Sequence, residues 1–185
     1  MRIVGGEARG RTLKSVPGNA TRPTADRVRQ SLFDLLGQRC DGLNVLDLYA
    51  GTGALALEAL SRGALRAVLV ERGREAAEVI GENLAALRYR ERARLLQDDV
   101  ARALAALGSS GERFELIFSD PPYQLRAAQA TLDAVVKHGL LAPGGRLVLE
   151  FEKAEAVPAP PEGYSLDDQR SYGDTAIAVI ARSSG

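Results

Sequence analysis

The chain has 185 residues, 45% of them hydrophobic, enough for one compact domain with a buried core and one small appendage but not for two full domains. A single cysteine, Cys40, and a single histidine, His138, exclude a disulfide framework and a Cys/His zinc site, so no metal is expected. No run approaches the roughly 18 apolar residues that span a membrane, and residues 1–6 do not form a signal-peptide core; a soluble, cytoplasmic protein without membrane contact is expected. Lys plus Arg and Asp plus Glu balance at 24 each, yet residues 1–40 hold eight cations against three anions. A basic front end on an acidic body can follow a phosphate backbone, and arginine adds bidentate contacts and stacking.

In chain order, residues 1–24 alternate glycine, basic and short apolar stretches, with Ile3-Val4 and Thr12-Leu13 as short strands of a hairpin-like arm. Thr24 is expected to cap a helix whose apolar positions Val28, Leu32, Phe33, Leu35 and Leu36 recur at helical spacing and which stops at Gly37. From residue 43 strands and helices alternate: a strand over 45–49, a helix over 53–62, a strand over 67–71, a helix over 74–88, a strand over 94–96, a helix over 100–107, a strand over 114–119, a helix over 125–138 and a strand over 146–150. Short apolar strands separated by helices indicate a parallel sheet covered on both faces, hence an α/β fold. Segments 164–171 and 175–180, joined at Tyr172-Gly173-Asp174, read as two last strands that extend the sheet as an antiparallel edge.

Ligands of open α/β sheets bind beyond the carboxyl ends of the strands. At the first of these lies Asp47-Leu48-Tyr49-Ala50-Gly51-Thr52-Gly53. Gly51 and Gly53 permit a tight turn and close approach to the backbone, and Asp47 offers a carboxylate. Glu71 ends the second strand 20 residues after Gly51, where an acidic side chain accepts both hydroxyls of a ribose. Any adenosine cofactor suits this pairing. With Ala56 as third small residue the dinucleotide fingerprint is formally met, which keeps a nicotinamide-dependent oxidoreductase in play; Asp47 and the acidic Asp98-Asp99 after the third strand favour S-adenosylmethionine.

Asp120-Pro121-Pro122-Tyr123 follows the fourth strand, again at a carboxyl end. Two successive prolines remove two donors and fix φ, leaving rigid carbonyl acceptors. An exocyclic amino group of a base is a poor nucleophile because its lone pair is delocalised. The Asp120 carboxylate and the Pro121 carbonyl can accept hydrogen bonds from its protons and aim that lone pair at a methyl donor. Tyr123 can stack on the extruded base.

A D-P-P-Y step after a strand, downstream of D-x-x-x-G-x-G, resembles the class I amino-methyltransferases of DNA and RNA. Residues 1–6, Gly10-Arg11-Thr12-Leu13, residues 21–29, 46–53 and 58–64, and Tyr172-Gly173-Asp174-Thr175 narrow the resemblance to the RsmD family, whose members methylate N2 of a guanine in bacterial 16S rRNA. Tyr49 and Thr52 stand where phenylalanine and serine are usual, and Gln30-Ser31 where Glu-Ala is common. The resemblance implies a Rossmann-like fold with a mostly parallel seven-stranded sheet, an RNA-binding arm over 1–24 and a methyltransferase domain over 25–185. It implies that Asp47, Tyr49, Ala50, Gly51, Thr52, Gly53, Glu71 and Asp99 line an S-adenosylmethionine site, that Asp120, Pro121, Pro122 and Tyr123 hold the guanine, and that Arg2, Arg9, Arg11, Lys14 and Arg22 grip RNA. The partner is then 16S rRNA, naked or within a small ribosomal subunit. Three rivals remain: a DNA adenine-N6 or cytosine-N4 methyltransferase, the oxidoreductase, and a non-catalytic RNA-binding module.

Overall fold

A computed structural model describes residues 1–18 and 23–185, with the backbone alone at Pro23, Thr24 and Tyr123. The expected RNA contact of Arg22 therefore lies outside the described residues. Two compact units build the chain, Met1–Asp98 and Asp99–Gly185.

The first unit contains helix α1 (Pro23–Leu35), strand β1 (Asn44–Leu48), helix α2 (Ala54–Ser61), strand β2 (Arg66–Val70), helix α3 (Arg74–Leu87) and strand β3 (Ala93–Leu96). Proline at the first helical position presets φ for α1, so Thr24, expected as its cap, falls inside the first turn. The strands pair in parallel in the order β3-β2-β1, with Val45 level with Ala67 and Ala67 level with Ala93. Val45, Leu46, Leu48, Leu69 and Val70 are inaccessible to solvent, the burial that produces near-continuous apolar runs in parallel strands.

The arm is hairpin-like but minimal. Arg2 and Thr12 form one antiparallel bridge, Ile3 N–H donates to the Arg11 carbonyl (3.0 Å), and Leu13 N–H donates to the Met1 carbonyl (3.0 Å). Ile3 and Leu13 are buried, so the arm contributes to this unit's core. Gly6, at φ +75°, lies against the end of α2: a Cβ there would stand 1.9 Å from the Ser61 carbonyl oxygen. Only a glycine lets the arm lie that close.

The second unit contains helix α4 (Val100–Ser109), strand β4 (Phe114–Ser119), helix α5 (Ala128–Lys137) and strands β5 (Leu141–Glu152), β6 (Tyr164–Tyr172) and β7 (Thr175–Arg182). β4 and β5 are parallel, and β7 is antiparallel to both β5 and β6, which is the antiparallel edge expected of the last two strands. β6 is largely exposed and carries Asp167, Asp168 and Arg170, charges that discourage edge-to-edge pairing.

Two expected boundaries move. The helix expected from 125 starts at Ala128, because Tyr123–Leu125 forms a 3₁₀ turn and Arg126 adopts φ +44°, which an α-helix cannot continue through. β5 begins at Leu141, five residues early. Pro143-Gly144-Gly145 reads as a turn, yet the chain absorbs it as an irregularity in one strand, Phe114 pairing with Leu141 and Leu116 with Arg146.

Candidate active site

The loop after β1 owes its shape to three left-handed residues, Tyr49 (φ +58°), Gly51 (φ +59°) and Gly53 (φ +79°). The two glycines serve different ends. A Cβ on Gly53 would come within 3.1 Å of Leu69 Cδ2 and 3.4 Å of Ile80 Cγ1, so its absence lets α2 seat against β2 and α3. A Cβ on Gly51 would meet nothing within 4 Å; that backbone faces open space, the approach a ligand needs. Ala50 N–H donates to the Val70 carbonyl (3.0 Å) and Gly53 N–H to the Ala50 carbonyl (2.7 Å), closing the loop.

Gly53 is the residue that precedes α2 and has no side chain to satisfy the helix amides. Asp47, buried at the end of β1, supplies the acceptor: its Oδ2 takes Ala56 N–H at 3.0 Å. The Glu71 carboxylate spans from the end of β2 to this loop, Oε2 accepting Gly51 N–H (2.9 Å) and Oε1 accepting Gly73 N–H (2.7 Å). Thr52 is held by Asn83 of α3, whose Nδ2 donates to the Thr52 carbonyl (3.0 Å) and to the Lys14 carbonyl (3.1 Å) while its Oδ1 accepts Lys14 N–H (2.7 Å). A buried amide thus ties the arm to the loop. The sequence reading missed Asn83, a polar residue on an apolar helical face that only its partners explain.

Two carboxylates and an open, glycine-backed turn at adjacent carboxyl strand ends fit an adenosine-type ligand: acceptors for hydroxyls, and backbone that a flat ring can approach.

In the second unit, Asp120-Pro121-Pro122 continues directly from β4, and Tyr123 opens the 3₁₀ turn. Pro122's carbonyl accepts Leu125 N–H at 2.9 Å, so of the two proline carbonyls Pro121's is the candidate acceptor for a substrate. Asp120 keeps accessible surface, but the protein packed around it removes enough water to push its carboxyl up to about 6. Glu150 near the end of β5 is pushed up to about 8, chiefly by burial and further by the neighbouring Asp120 charge. The sequence reading did not single out Glu150. Asp99 is the N-cap of α4, its side chain accepting Ala101 N–H at 2.9 Å.

The basic residues of the arm divide. Arg11 donates to the Ala86 carbonyl (2.8 Å) and Lys14 pairs with Glu82 at 2.5 Å, both against α3, while Arg2 offers its carbonyl to Arg29. Arg9 is exposed and, with Arg39, Arg62, Gln30 and Asp41, lines a cavity of about 780 Å³. Ser61 and Arg62 place this cavity at the C-terminal end of α2, the opposite end of that helix from Gly53. Eight residues at 1.5 Å each put it about 12 Å along the helix from the glycine loop.

Beneath it Glu58, inaccessible to solvent, accepts from Arg29 (3.2 Å), Arg62 (2.9 Å), Val4 N–H (3.0 Å) and Gly5 N–H (2.7 Å). One carboxylate joins α1, α2 and the arm. Among the described residues no helix is long and apolar enough to cross a membrane, and no group of three or more His, Cys, Asp or Glu could hold a metal ion.

Strand pairing, crossover helices and a glycine turn after β1 define a Rossmann-like α/β protein of the class I methyltransferase kind, with seven strands in a mostly parallel arrangement. Residues 1–181 match the family model described as Conserved hypothetical protein 95, the RsmD family, and the chain belongs to that family. It is 34% identical over 182 residues to Ribosomal RNA small subunit methyltransferase D of Escherichia coli strain K12, covering 98% of this chain and 90% of that one. YlbH of Bacillus subtilis strain 168 is 35% identical over 182 residues, covering 98% and 99%. The solved structure of Escherichia coli yhhF superposes with a TM-score of 0.89 at 33% identity, covering 100% of this chain and 99% of that one.

Proposed function

We propose that this protein transfers a methyl group from S-adenosylmethionine to the exocyclic N2 amino group of a guanine in bacterial 16S rRNA, acting in the cytoplasm. The observation that carries the reading is Asp120: an accessible carboxyl at the end of a strand, followed by two prolines and pushed up by the protein around it. Full-length kinship to a small-subunit rRNA methyltransferase supports RNA over DNA as the substrate and methyl transfer over hydride transfer.

Glu71 binds the ribose hydroxyls, and Asp47, Tyr49, Ala50, Gly51, Thr52, Gly53 and Asp99 complete the cofactor site. The cofactor supplies an electrophilic methyl group. Asp120 and the Pro121 carbonyl accept hydrogen bonds from the two N2–H groups, so the amino lone pair is turned out of conjugation and pointed at that methyl. The new bond at nitrogen would replace the bond from sulfur to that methyl, leaving S-adenosylhomocysteine, and Asp120 would take the proton that the cationic nitrogen must lose. The ring of Tyr123 stacks on the base. Because N2 of guanine is engaged in a paired helix, the target is an unpaired or flipped-out nucleotide, in naked rRNA or within a small subunit.

The Asp120→Ala variant should lose turnover at least a hundredfold while its affinity for S-adenosylhomocysteine stays within about twofold of the parent. Tyr123→Phe should outpace Tyr123→Ala, since stacking is worth roughly 1–3 kcal/mol and needs only the ring. Single-turnover rates on ribosomal RNA and calorimetry test both. An active Asp120→Ala enzyme would contradict the assignment, and stabilisation of the protein by NAD but not by S-adenosylhomocysteine would revive the oxidoreductase.

A further inference from the structure

The role of Asp120 leaves Glu150 unexplained, a half-buried carboxyl with no place in the chemistry above. Its position is fixed by register. Ser119 of β4 is level with Leu149 of β5 in a parallel pair, so one residue further along, at the carboxyl ends of both strands, Asp120 comes level with Glu150. Register mates in a parallel pair project to the same face. The two side chains therefore share one face at neighbouring strand ends, close enough for the Asp120 charge to act on Glu150.

Among the described residues, β7 and the end of β5 set no cation beside Glu150, and Arg146, on the same face of β5, stands four residues back. Opposite it on β7 stands Ile177, flanked by Ala176 and Ala178. On its own strand the ionisable group two residues on is Glu152, a further anion, and Lys153 lies beyond the strand end. Helix α5, which packs on β5, carries Asp133 and Lys137, of which Asp133 accepts from Gln129 on an exposed surface. Two adjacent carboxyls cannot both ionise cheaply in such surroundings, and they titrate as a pair.

We propose that Glu150 is a positioning residue of the base site: it holds the single proton of the Asp120–Glu150 pair, leaving Asp120 as the ionised acceptor and itself as a hydrogen-bond donor beside it. This rests on the reading of Asp120 given above. The division of labour suits the C2 edge of guanine, where a donor, N2–H, adjoins an acceptor, ring N3. During turnover the proton leaving N2 passes to Asp120, making the pair doubly protonated, and is then released to water. At neutral pH that release is downhill, because burial pushes Asp120 up only to about 6. If Glu150 were ionised instead, its charge would raise the proton affinity of Asp120 and retain that proton.

The first test needs neither cofactor nor RNA. Carboxyl ¹³C NMR titration of the protein should show two coupled steps, near 6 and near 8. Glu150→Gln should abolish the upper step and leave the lower, and Asp120→Asn should move the Glu150 step downward. Independent, unshifted carboxyls would overturn the pairing.

The second test is the rate against pH on ribosomal RNA. Glu150→Gln, whose amide still donates, should stay within about threefold of the parent at pH 7 and should lose the parent's decline above pH 8. Glu150→Ala should fall at least tenfold in kcat with KM for RNA little changed. A Gln variant as slow as the Ala variant, or one that keeps the alkaline decline, would overturn the proposal. Should the parent protein methylate no guanine, the functional reading fails, while the NMR arm still decides whether the pair exists.

Discussion

Both oxygens of Glu71 accept backbone N–H groups, from Gly51 and Gly73, so this one side chain shapes the loop to which the proposed cofactor site assigns it. Ribose hydroxyls add donors to oxygens that have lone pairs to spare. Glu71→Ala should weaken S-adenosylhomocysteine binding by roughly 1–3 kcal/mol, as expected for hydrogen bonds to a charged acceptor. Calorimetry reads this directly, and an unchanged Kd would mean that the ribose sits elsewhere. Glu71 and Asp47 stand out in the sequence because each is a lone carboxylate at the end of an apolar run. Glu150 lies near the end of an apolar strand too, yet its meaning depends on β4 and β5 lying in register, and neither strand states that by itself. What Asp47 does in the folded chain was equally hidden: capping α2 from β1 follows from Gly53 having no side chain to offer.

At the scale of elements, the arm and α2 are joined by a buried carboxylate flanked by two buried guanidiniums. Breaking such a cluster costs far more than an exposed ion pair, because charges are left unpaired away from water. The sequence showed the arm's basic charge but not its division of labour. Arg11 and Lys14 are spent on α3, whereas Arg9 and Arg39 border the cavity at the far end of α2. Within that cavity Arg39 pairs with Asp41 at 2.5 Å and Arg62 with Glu58, which leaves the exposed Arg9 as the guanidinium best placed to meet a phosphate. Replacing Arg9 with alanine should weaken RNA binding and reduce the slope of log K against log salt by about one. Affinity measured across a salt series checks this; an unaltered slope would place the RNA elsewhere.

At the scale of the molecule, the alternation of strands and helices was readable because parallel strands covered on both faces are short apolar runs, and helices repeat every three to four residues. The early start of β5 and the late start of α5 were not, since Pro143-Gly144-Gly145 can make either a turn or a strand irregularity, and the left-handed turn at Arg126 has no glycine to announce it.

Stability should also depend on pH in an unusual sense. Asp120 and Glu150 bind protons more tightly in the folded protein, near 6 and 8, than in an unfolded chain, where carboxyls titrate near 4. The native state then holds more protons than the unfolded state between about pH 4 and 8, and these two groups make folding less favourable as pH rises through that window. Their contribution is complete below about pH 4 and lost above about 8. Glu150→Gln should accordingly raise the melting temperature relative to the parent at pH 8 to 9 and lose that advantage near pH 5. Parallel melting curves in pH series for the two proteins would show it.

The central claim concerns which atom is methylated. Small-subunit rRNA lacking its modification, incubated with the protein and isotopically labelled S-adenosylmethionine, can be digested to nucleosides and separated by mass spectrometry. The account predicts label in N2-methylguanosine, its appearance abolished by Asp120→Ala. Label in N6-methyladenosine or N4-methylcytidine, or no label in rRNA from a protein that binds the cofactor, would contradict it.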